Sequence, residues 1–495
     1  MSQRFVLAYD LGTSAVKSAL VTMTGEVVAA STVAYPLLIP NTGWAEQVPE
    51  DYWKGVCEAT RSVLEKAKVS PDCVAGMAFG TMWKGIIPID AEGNVLHNSI
   101  IWLDARAGEQ SRKLNEHFGV TSFSAGDYWS KLMWLRENHP EVVEKAVIIL
   151  ETNSYLKWKA TGESAVDISN SYVRSFDPKL EQFYQDFLSF IDIPQEKFPR
   201  LVPAQELVGR VTESAAAELG LVPGIPVFAG NNDIQAVSVG SGCSEIGGVH
   251  VYFGSSGWVG YTIPHISNHL PSAYAEDRDI VLAGMRAIGL SFNWVVKKLY
   301  APEYESMGDD VFAFIDNEVA DIAPGAEGVV GLPWFYGDHP PYPGTEARGC
   351  FINLGPNHDR RHMARSIMEG VCYHLKMRAT KNNYKWPEAF SAIGGGSCSD
   401  VWMQMLADVM NTPVRVPADT RHAGAIGTAY SALIGLGECS DYADAAQRIR
   451  FERTFNPRPE AVAVYEKNYA AFMQLATALK PVFTMLNTNE TEAKS

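Results

Sequence analysis

One short plan occurs twice in this chain. An apolar run with strand character feeds a turn of glycine and hydroxyl-bearing residues, and further β-rich sequence follows. In the first copy, residues 5–9 (FVLAY) lead into Asp10-Leu11-Gly12-Thr13-Ser14. Residues 16–23 and 27–33 come next, joined at Thr24-Gly25 as a hairpin. In the second copy, residues 249–253 lead into Gly254-Ser255-Ser256-Gly257, behind the glycine-rich break Gly240-Ser241-Gly242 and Gly247-Gly248. We read this as a weak internal duplication with a boundary near residues 240–248, giving domains 1–245 and 246–495. The length of 495 residues agrees, because a single core does not grow that large. Two related domains facing one another would enclose an interdomain cleft.

Between and after these copies, strands and helices alternate, which indicates an α/β architecture. Residues 50–67 place Trp53, Val56, Val63, Leu64 and Ala67 at helical spacing behind Pro49, with Glu50 and Asp51 in the first turn. Residues 74–79 read as a buried strand, 104–117 and 128–146 as helices, and 147–150 as a strand. Residues 226–229 form a short strand before Gly230-Asn231-Asn232-Asp233. The Gly/Pro-rich stretch 334–347 is a loop, 360–382 a helix, and 391–393 a strand entering Gly394-Gly395-Gly396. Helices follow at 399–410 and 423–436, and the polar residues 487–495 are expected to fray.

Charge narrows the function classes. Lys plus Arg is 41 and Asp plus Glu is 57, a net charge of −16, so the chain has no general attraction to nucleic acid or an anionic membrane. A 46% hydrophobic and 20% charged composition excludes large-scale disorder. The seven cysteines include no C-x-x-C pair, which speaks against a disulfide framework or a zinc site. Residues 1–10 carry no apolar signal segment and no later stretch has the length of a membrane span. A soluble, cytoplasmic protein is expected.

Six features could carry chemistry. Gly12, Thr13 and Ser14, with Lys17 beyond them, could converge backbone N–H groups on a phosphate, and the carboxylate of Asp10 could hold Mg²⁺; the alternative is an ordinary hairpin turn. Gly254, Ser255 and Ser256 form a second such loop, and together the two suggest a phosphate clamp. Gly394, Gly395 and Gly396 would let a flat ligand lie on bare backbone, or serve only as a flexible connection. Asp233 follows a strand and precedes a helix, so it is either an N-cap or a general base for a substrate hydroxyl. Residues 80–85 (GTMWKG) and 102–106 (WLDAR) set aromatic rings beside polar groups, which suits a sugar; core tryptophan plus surface charge is the bland reading.

Taken in order, these segments resemble one family, the FGGY carbohydrate kinases. YDLGTSAVKSAL looks like its first phosphate loop and KLMWLREN its N-terminal signature. GNNDIQAVSVG is similar to the stretch holding the catalytic aspartate, and FGSSGWVG to the second phosphate loop. GLPWFYGDHPPYPGTEARGCFINL resembles the long loop of the second domain. AIGGGSCSDVWMQMLADVMNTPVRV resembles the nucleotide-side signature, and AGAIGTAYSALIG the small-residue helix after it. The resemblance implies two actin-like, ribonuclease-H-like ATPase domains and ATP-dependent phosphorylation of a sugar or polyol hydroxyl. By motif position it makes Asp233 the catalytic base and places Asp10 near the metal. Gly12, Thr13 and Ser14 fall near the transferred phosphate, Ser255 and Ser256 on the opposite phosphate wall, and residues 394–396 against the adenosine.

On the substrate side, Met82, Trp83, Trp102, Asp104 and Asp233 are the expected sugar contacts. Within the family the chain looks most like the xylulokinases, with WLDAR for their Trp-Asn-Asp-Gly-Arg stretch. It departs from them in GTMWKG, where Thr81 stands for Gln and Trp83 or Lys84 takes the place of His, and in Tyr128 ahead of Lys131. The acceptor expected is a ketopentose such as xylulose. Gluconate, ribulose or another ketose or polyol is the alternative, with Lys84 favouring an acidic sugar. A different class of reading is an actin-like nucleotide switch without transfer. The partners expected are a small sugar, ATP and Mg²⁺, with a homodimer left open.

Overall fold

The computed structural model describes residues 3–267, 273–275, 277–339, 343–381 and 384–487. The polar tail expected to fray therefore lies, from residue 488 on, outside the described residues. Contacts divide the chain into two units. The first comprises Met1–Ile246, Ile263–Ile280 and His422–Ile449; the second comprises Gly247–Thr262, Val281–Arg421 and Arg450–Ser495.

The first unit is built on a six-stranded sheet. Strand Phe5–Leu11 pairs antiparallel with Ala15–Thr22, and that strand with Val27–Ala34. On its other side Phe5–Leu11 runs parallel to Val74–Thr81, which runs parallel to Pro226–Asn232. Leu207–Arg210 closes that edge antiparallel. The unbroken apolar character of residues 5–9 and 74–79 follows from burial on both faces. One face carries helix Pro49–Ala67, whose proline starts the helix and whose Glu50 and Asp51 suit its positive end. Its buried Tyr52, Trp53, Val56, Val63 and Leu64 join Leu7, Tyr9, Leu11, Val16 and Leu20 in one core. Each such side chain contributes about 1.5–3 kcal/mol by leaving water.

The second large sheet repeats the plan. Strand Val249–Phe253 pairs antiparallel with Gly257–Pro264, which neighbours Arg278–Met285. On its other side it runs parallel to Phe390–Ile393 and then Val414–Pro417, with Phe451–Phe455 antiparallel at the edge. Apart from the short strand Ala273–Ala275 at the outer edge of the second sheet, both sheets share one order: a three-stranded meander, then two parallel strands, then one antiparallel strand. This is the ribonuclease-H type of arrangement that the resemblance implied.

Two expected helices differ in detail. Residues 128–146 form two helices, Tyr128–Asn138 and Pro140–Lys145, because the residue before Pro140 is pushed out of helical geometry. The helix expected from residue 104 begins at Gly108, since residues 102–106 are held in a loop by the Asp104 and Arg106 side chains described below.

In the first unit, helix Ala423–Gly435 packs on helix Asp233–Gly240 by backbone contact. A Cβ at Gly240 would lie 1.8 Å from the Ala423 carbonyl oxygen, and one at Gly427 would lie 1.8 Å from that of Ala236. Neither backbone can move aside without shifting a helix. Gly240→Ala and Gly427→Ala should therefore each destabilise the protein by about 1–3 kcal/mol or more, measured by chemical denaturation. Wild-type stability in both variants would refute this packing.

Candidate active site

Three strands of the first unit run parallel and end level. Asp10 is paired with Gly80 and Gly80 with Asn231, so these residues form one row at the carboxyl ends of the strands. That edge is where open α/β sheets bind ligands. Helix Ala423–Gly435 lies along it. A Cβ on Gly424 would sit 2.9 Å from Asp10 Cγ and Oδ2, and one on Gly80 would sit 2.2 Å from Thr428 Oγ1. The missing side chains let the helix N-terminus close on the Asp10 carboxylate, a favourable placement for a negative group. Thr428 Oγ1 then donates to Asn231 Oδ1 at 3.0 Å, and Asn231 Nδ2 donates to Ser431 Oγ at 3.2 Å.

The loop after Asp10 is braced by its carbonyl groups. Gly12 N–H donates to the Ala15 carbonyl at 3.0 Å, and the Tyr35 hydroxyl donates to the Gly12 carbonyl. Gln47 Nε2 donates to the Thr13 carbonyl at 2.7 Å, and the Trp102 indole to Thr13 Oγ1 at 2.9 Å. Ser14 is exposed, and Lys17 reaches Asp10 Oδ2 at 3.3 Å. Asp10 is a hard oxygen ligand, and among the described residues no group of three or more His, Cys, Asp or Glu gathers for a metal. One carboxylate suits Mg²⁺, which keeps most of its waters and takes its other ligands from phosphates.

Asp233 is the first residue of its helix, but the cap is Asn232, whose Oδ1 accepts from Gln235 N–H at 2.7 Å. The capping alternative is thereby taken by the neighbour. Asp233 Oδ1 accepts from Ile234 N–H at 3.0 Å. The carboxyl is pushed up to about 7, first by burial among protein atoms and then by the Asp10 charge, although the residue keeps some surface exposure. A carboxylate poised near neutrality suits a general base.

The sugar-side expectations fall around these two acids. Met82 is buried and its N–H donates to the Leu11 carbonyl at 2.7 Å. The Trp83 ring lies 5.3 Å from that of Tyr172. Lys84 has left-handed backbone (φ 71°), and its ammonium reaches Asp127 at 2.7 Å. Lys131, the signature lysine, donates to the carbonyls of Lys84 at 2.9 Å and Ile101 at 2.8 Å, tying the two substrate-side segments together. Burial, and then the Lys84 charge, pull Lys131 down to about 7. Trp102 is 43% exposed and free to present a face. Asp104 has no exposed surface: it accepts from Ala45 N–H at 2.7 Å, from Arg106 N–H at 3.0 Å and from the Arg106 guanidinium at 2.7 Å. Arg106 in turn stacks 3.8 Å from the Trp44 ring centroid. The residues place Asp104 as the brace of the Trp102 loop.

Tyr172 went unnoticed in the sequence. Its ring stacks on Tyr128 at 4.6 Å, and its buried hydroxyl has no hydrogen-bond partner among the described residues. Burial, and then the charges of Asp127 and Asp233, push its hydroxyl well above the ordinary tyrosine range. No spacing marks it; an aromatic after a run of turn formers is its only signal.

The second unit carries the other loops. Gly254 has no room for a Cβ, which would sit 2.3 Å from the Tyr252 ring, and its carbonyl accepts from Gly289 N–H at 2.9 Å. The Ser255 carbonyl accepts from Ile288 N–H at 3.0 Å, and the neighbouring Ser256 shares the loop. Gly394 adopts φ 93°, and its N–H reaches Thr420 Oγ1 at 3.1 Å. A Cβ on Gly395 would meet nothing within 4 Å, so this glycine offers bare backbone to open space. A Cβ on Gly396 would lie 3.0 Å from the Phe253 side chain. Ser399 caps the helix beyond, accepting from Trp402 N–H at 3.0 Å.

Two family models match the chain: the N-terminal domain of the FGGY family of carbohydrate kinases over residues 5–240, and its C-terminal domain over residues 252–436. The chain is 28% identical to the xylulose kinase of Bacillus subtilis, covering 98% of this chain and 99% of that one. It is similar in structure to xylulose kinase from Rhodospirillum rubrum, at 27% identity and a TM-score of 0.82, covering 97% and 100% of the two chains. Ligand-bound xylulose kinase from Lactobacillus acidophilus shares the fold at 21% identity and a TM-score of 0.84, covering 98% and 100%.

Removing Asp104 would strand the Arg106 guanidinium in a buried site. Asp104→Ala should cost about 3–5 kcal/mol of stability in equilibrium unfolding. A change below 1 kcal/mol would show that the pair does not hold this loop.

Proposed function

The chain belongs to the FGGY family of carbohydrate kinases and is an ATP-dependent enzyme that phosphorylates a sugar hydroxyl; from this premise we propose that its acceptor is a ketopentose such as xylulose, with Asp233 as base. The observation that carries the residue assignment is the placement of Asp233 at the strand edge, uncapped and poised near neutrality, beside Asp10. Asp233 accepts the proton of the attacking hydroxyl as its oxygen bonds to the γ-phosphorus of ATP and the bond from that phosphorus to the bridging oxygen breaks, releasing ADP. The helix N-terminus behind Asp10 and the amides of Thr13 and Ser14 would favour the anionic phosphoryl group, with Lys17 adding charge, while the Gly12 amide is taken by the Ala15 carbonyl and shapes the turn. Gly254, Ser255 and Ser256 would cradle the other phosphates, and Gly394, Gly395 and Gly396 the adenosine. Asp10 would hold Mg²⁺, which supplies charge neutralisation on the phosphates when bound.

Met82, Trp83 and Trp102 are the proposed sugar contacts, with Asp104 acting through the Trp102 loop. The Lys84 ammonium is engaged by Asp127 at 2.7 Å, which speaks for a neutral ketose over a sugar acid. The xylulose kinase relatives support the same reading. A nucleotide switch without transfer is not favoured, because both kinase domains are matched. Among the described residues no helix is long and apolar enough to cross a membrane. None of the seven cysteines is paired in a disulfide, which fits a reducing, cytoplasmic location.

ADP release should be measured over ketopentoses, ketohexoses, aldonates and polyols. D-xylulose should give the highest kcat/KM, and a preference for gluconate would overturn the substrate reading. Asp233→Asn should lower kcat by about 10²–10⁴-fold with the KM for ATP changed little. Near-normal turnover would remove Asp233 from the mechanism.

The pH dependence follows from the carboxyl near 7. As base it works ionised, so kcat/KM should rise with pH and level off above about 7. In the fold its acid form is favoured, so its contribution to stability is full below the ordinary carboxylate range and lost as pH rises through about 7. Asp233→Asn should therefore stabilise the protein more at pH 8 than at pH 5, read as the shift in Tm. An equal shift at both pH values would contradict the raised pKa.

A further inference from the structure

Asp233 is held at its backbone, and the holding residue is the neighbour Asn232. Asn232 N–H donates to Ser169 Oγ at 2.8 Å and its Nδ2 donates to the Ser169 carbonyl at 2.7 Å. Its remaining oxygen caps the helix. Ser169, Asn232 and Asp167 are all buried. The residue before Asp233 is thus fixed on both its main chain and its side chain, by one serine more than sixty positions away in sequence.

The direction of these bonds matters. A serine hydroxyl has one proton. Here the Ser169 hydroxyl donates to Asp167 Oδ2, so the lone pairs of Oγ are left for Asn232 N–H. Asp167 is itself fixed: Oδ2 also accepts from Ser169 N–H at 2.9 Å, and Oδ1 accepts from Asn170 Nδ2 at 2.5 Å. As an acceptor on both oxygens, a carboxylate at this place permits only one orientation of the hydroxyl. The strand leading to Asp233 is gripped again at Ala229, whose carbonyl accepts from the buried Lys157 ammonium at 3.0 Å.

We propose that Asp167 and Ser169 are positioning residues for the transfer step, setting the Ser169 hydroxyl so that it locks Asn232 and thereby aims the Asp233 carboxylate at the acceptor hydroxyl. The proposal rests on Asp233 being the base. Neither Asp167 nor Ser169 has a hydrogen bond to Asp233, so their effect passes through Asn232. Misplacing a catalytic group by about 1 Å can cost as much as 10²-fold in rate without weakening substrate binding.

The test compares Ser169→Ala, Ser169→Thr and Asp167→Asn in the full-length protein, with D-xylulose and Mg-ATP. Ser169→Ala should lower kcat about tenfold or more while both KM values stay within about twofold. Ser169→Thr, which keeps the hydroxyl, should recover most of kcat. Hydrogen exchange needs no sugar: the amides of residues 231–235 should exchange faster in Ser169→Ala and return toward wild type in Ser169→Thr. Asp167→Asn is isosteric; it can reverse the hydroxyl and should share the kcat loss, which covers a Ser169→Ala protein that fails to fold. Wild-type kcat and exchange in Ser169→Ala, with Asp233→Asn inactive, would overturn the relay and leave the base assignment standing. An active Asp233→Asn would fell the base assignment and the relay with it.

Discussion

The contact between helices Asp233–Gly240 and Ala423–Gly435 is made by backbone, and the candidate site of the first unit depends on it. Gly240 against Ala423, and Gly427 against Ala236, let the helix axes approach closer than side chains allow. The approach carries the second helix across the ends of three parallel strands, where Gly424 faces Asp10 and Thr428 meets Asn231. Every one of these contacts needs a small residue, which accounts for the run AGAIGTAYSALIG. By sequence order the helix lies within the stretch matched by the C-terminal family domain, yet it packs within the first unit. The last third of the chain therefore completes the edge built by the first half.

That edge brings like charges together in a chain already carrying −16. Asp10 is offset from two directions, by Lys17 across the hairpin and by the helix N-terminus at Gly424. Asp233 sits at the start of its own helix, yet burial and Asp10 outweigh that help and raise its carboxyl to about 7. The asymmetry separates two similar acids by environment. Asp10 lies beside a lysine and a helix N-terminus and offers an oxygen ligand; Asp233 is kept close to its proton and suits a base. Neither role requires a basic patch, in keeping with the acidic composition.

Much of this is legible in the sequence because the strands entering the site begin as apolar runs and lead toward turns marked by glycine and small polar residues. Asp10, Asp233 and the loops at 254–257 and 394–396 stand out as candidates by that pattern. The Pro140 break was equally visible in principle, and was missed because apolar spacing continues across it. Asp104 illustrates a deeper limit. Beside a tryptophan, an aspartate reads as a sugar ligand, and only the fold reveals that Ala45 and Arg106 use its oxygens. Ser169 and Asp167 lie in the segment DISNS, whose residues favour any turn. Their partner Asn232 is 63 residues away, and no local periodicity encodes so distant a hydrogen bond.

The two sheets share a strand plan but not a chemistry. In the first unit the carboxyl ends of the parallel strands carry Asp10 and, just beyond Asn231 and Asn232, Asp233. In the second unit the equivalent ends open into Gly254 and Gly394, whose lack of side chains is forced by Tyr252 and Phe253. Gly395 then offers backbone to open space. Acidic side chains suit proton transfer and a hard cation, whereas bare amides suit the many oxygens of a nucleotide. The residues that differ between the two sheets lie where strands end. There a side chain can change without disturbing the sheet. The departures from the xylulokinase pattern at Thr81, Trp83 and Lys84 likewise begin where a strand ends, at Thr81.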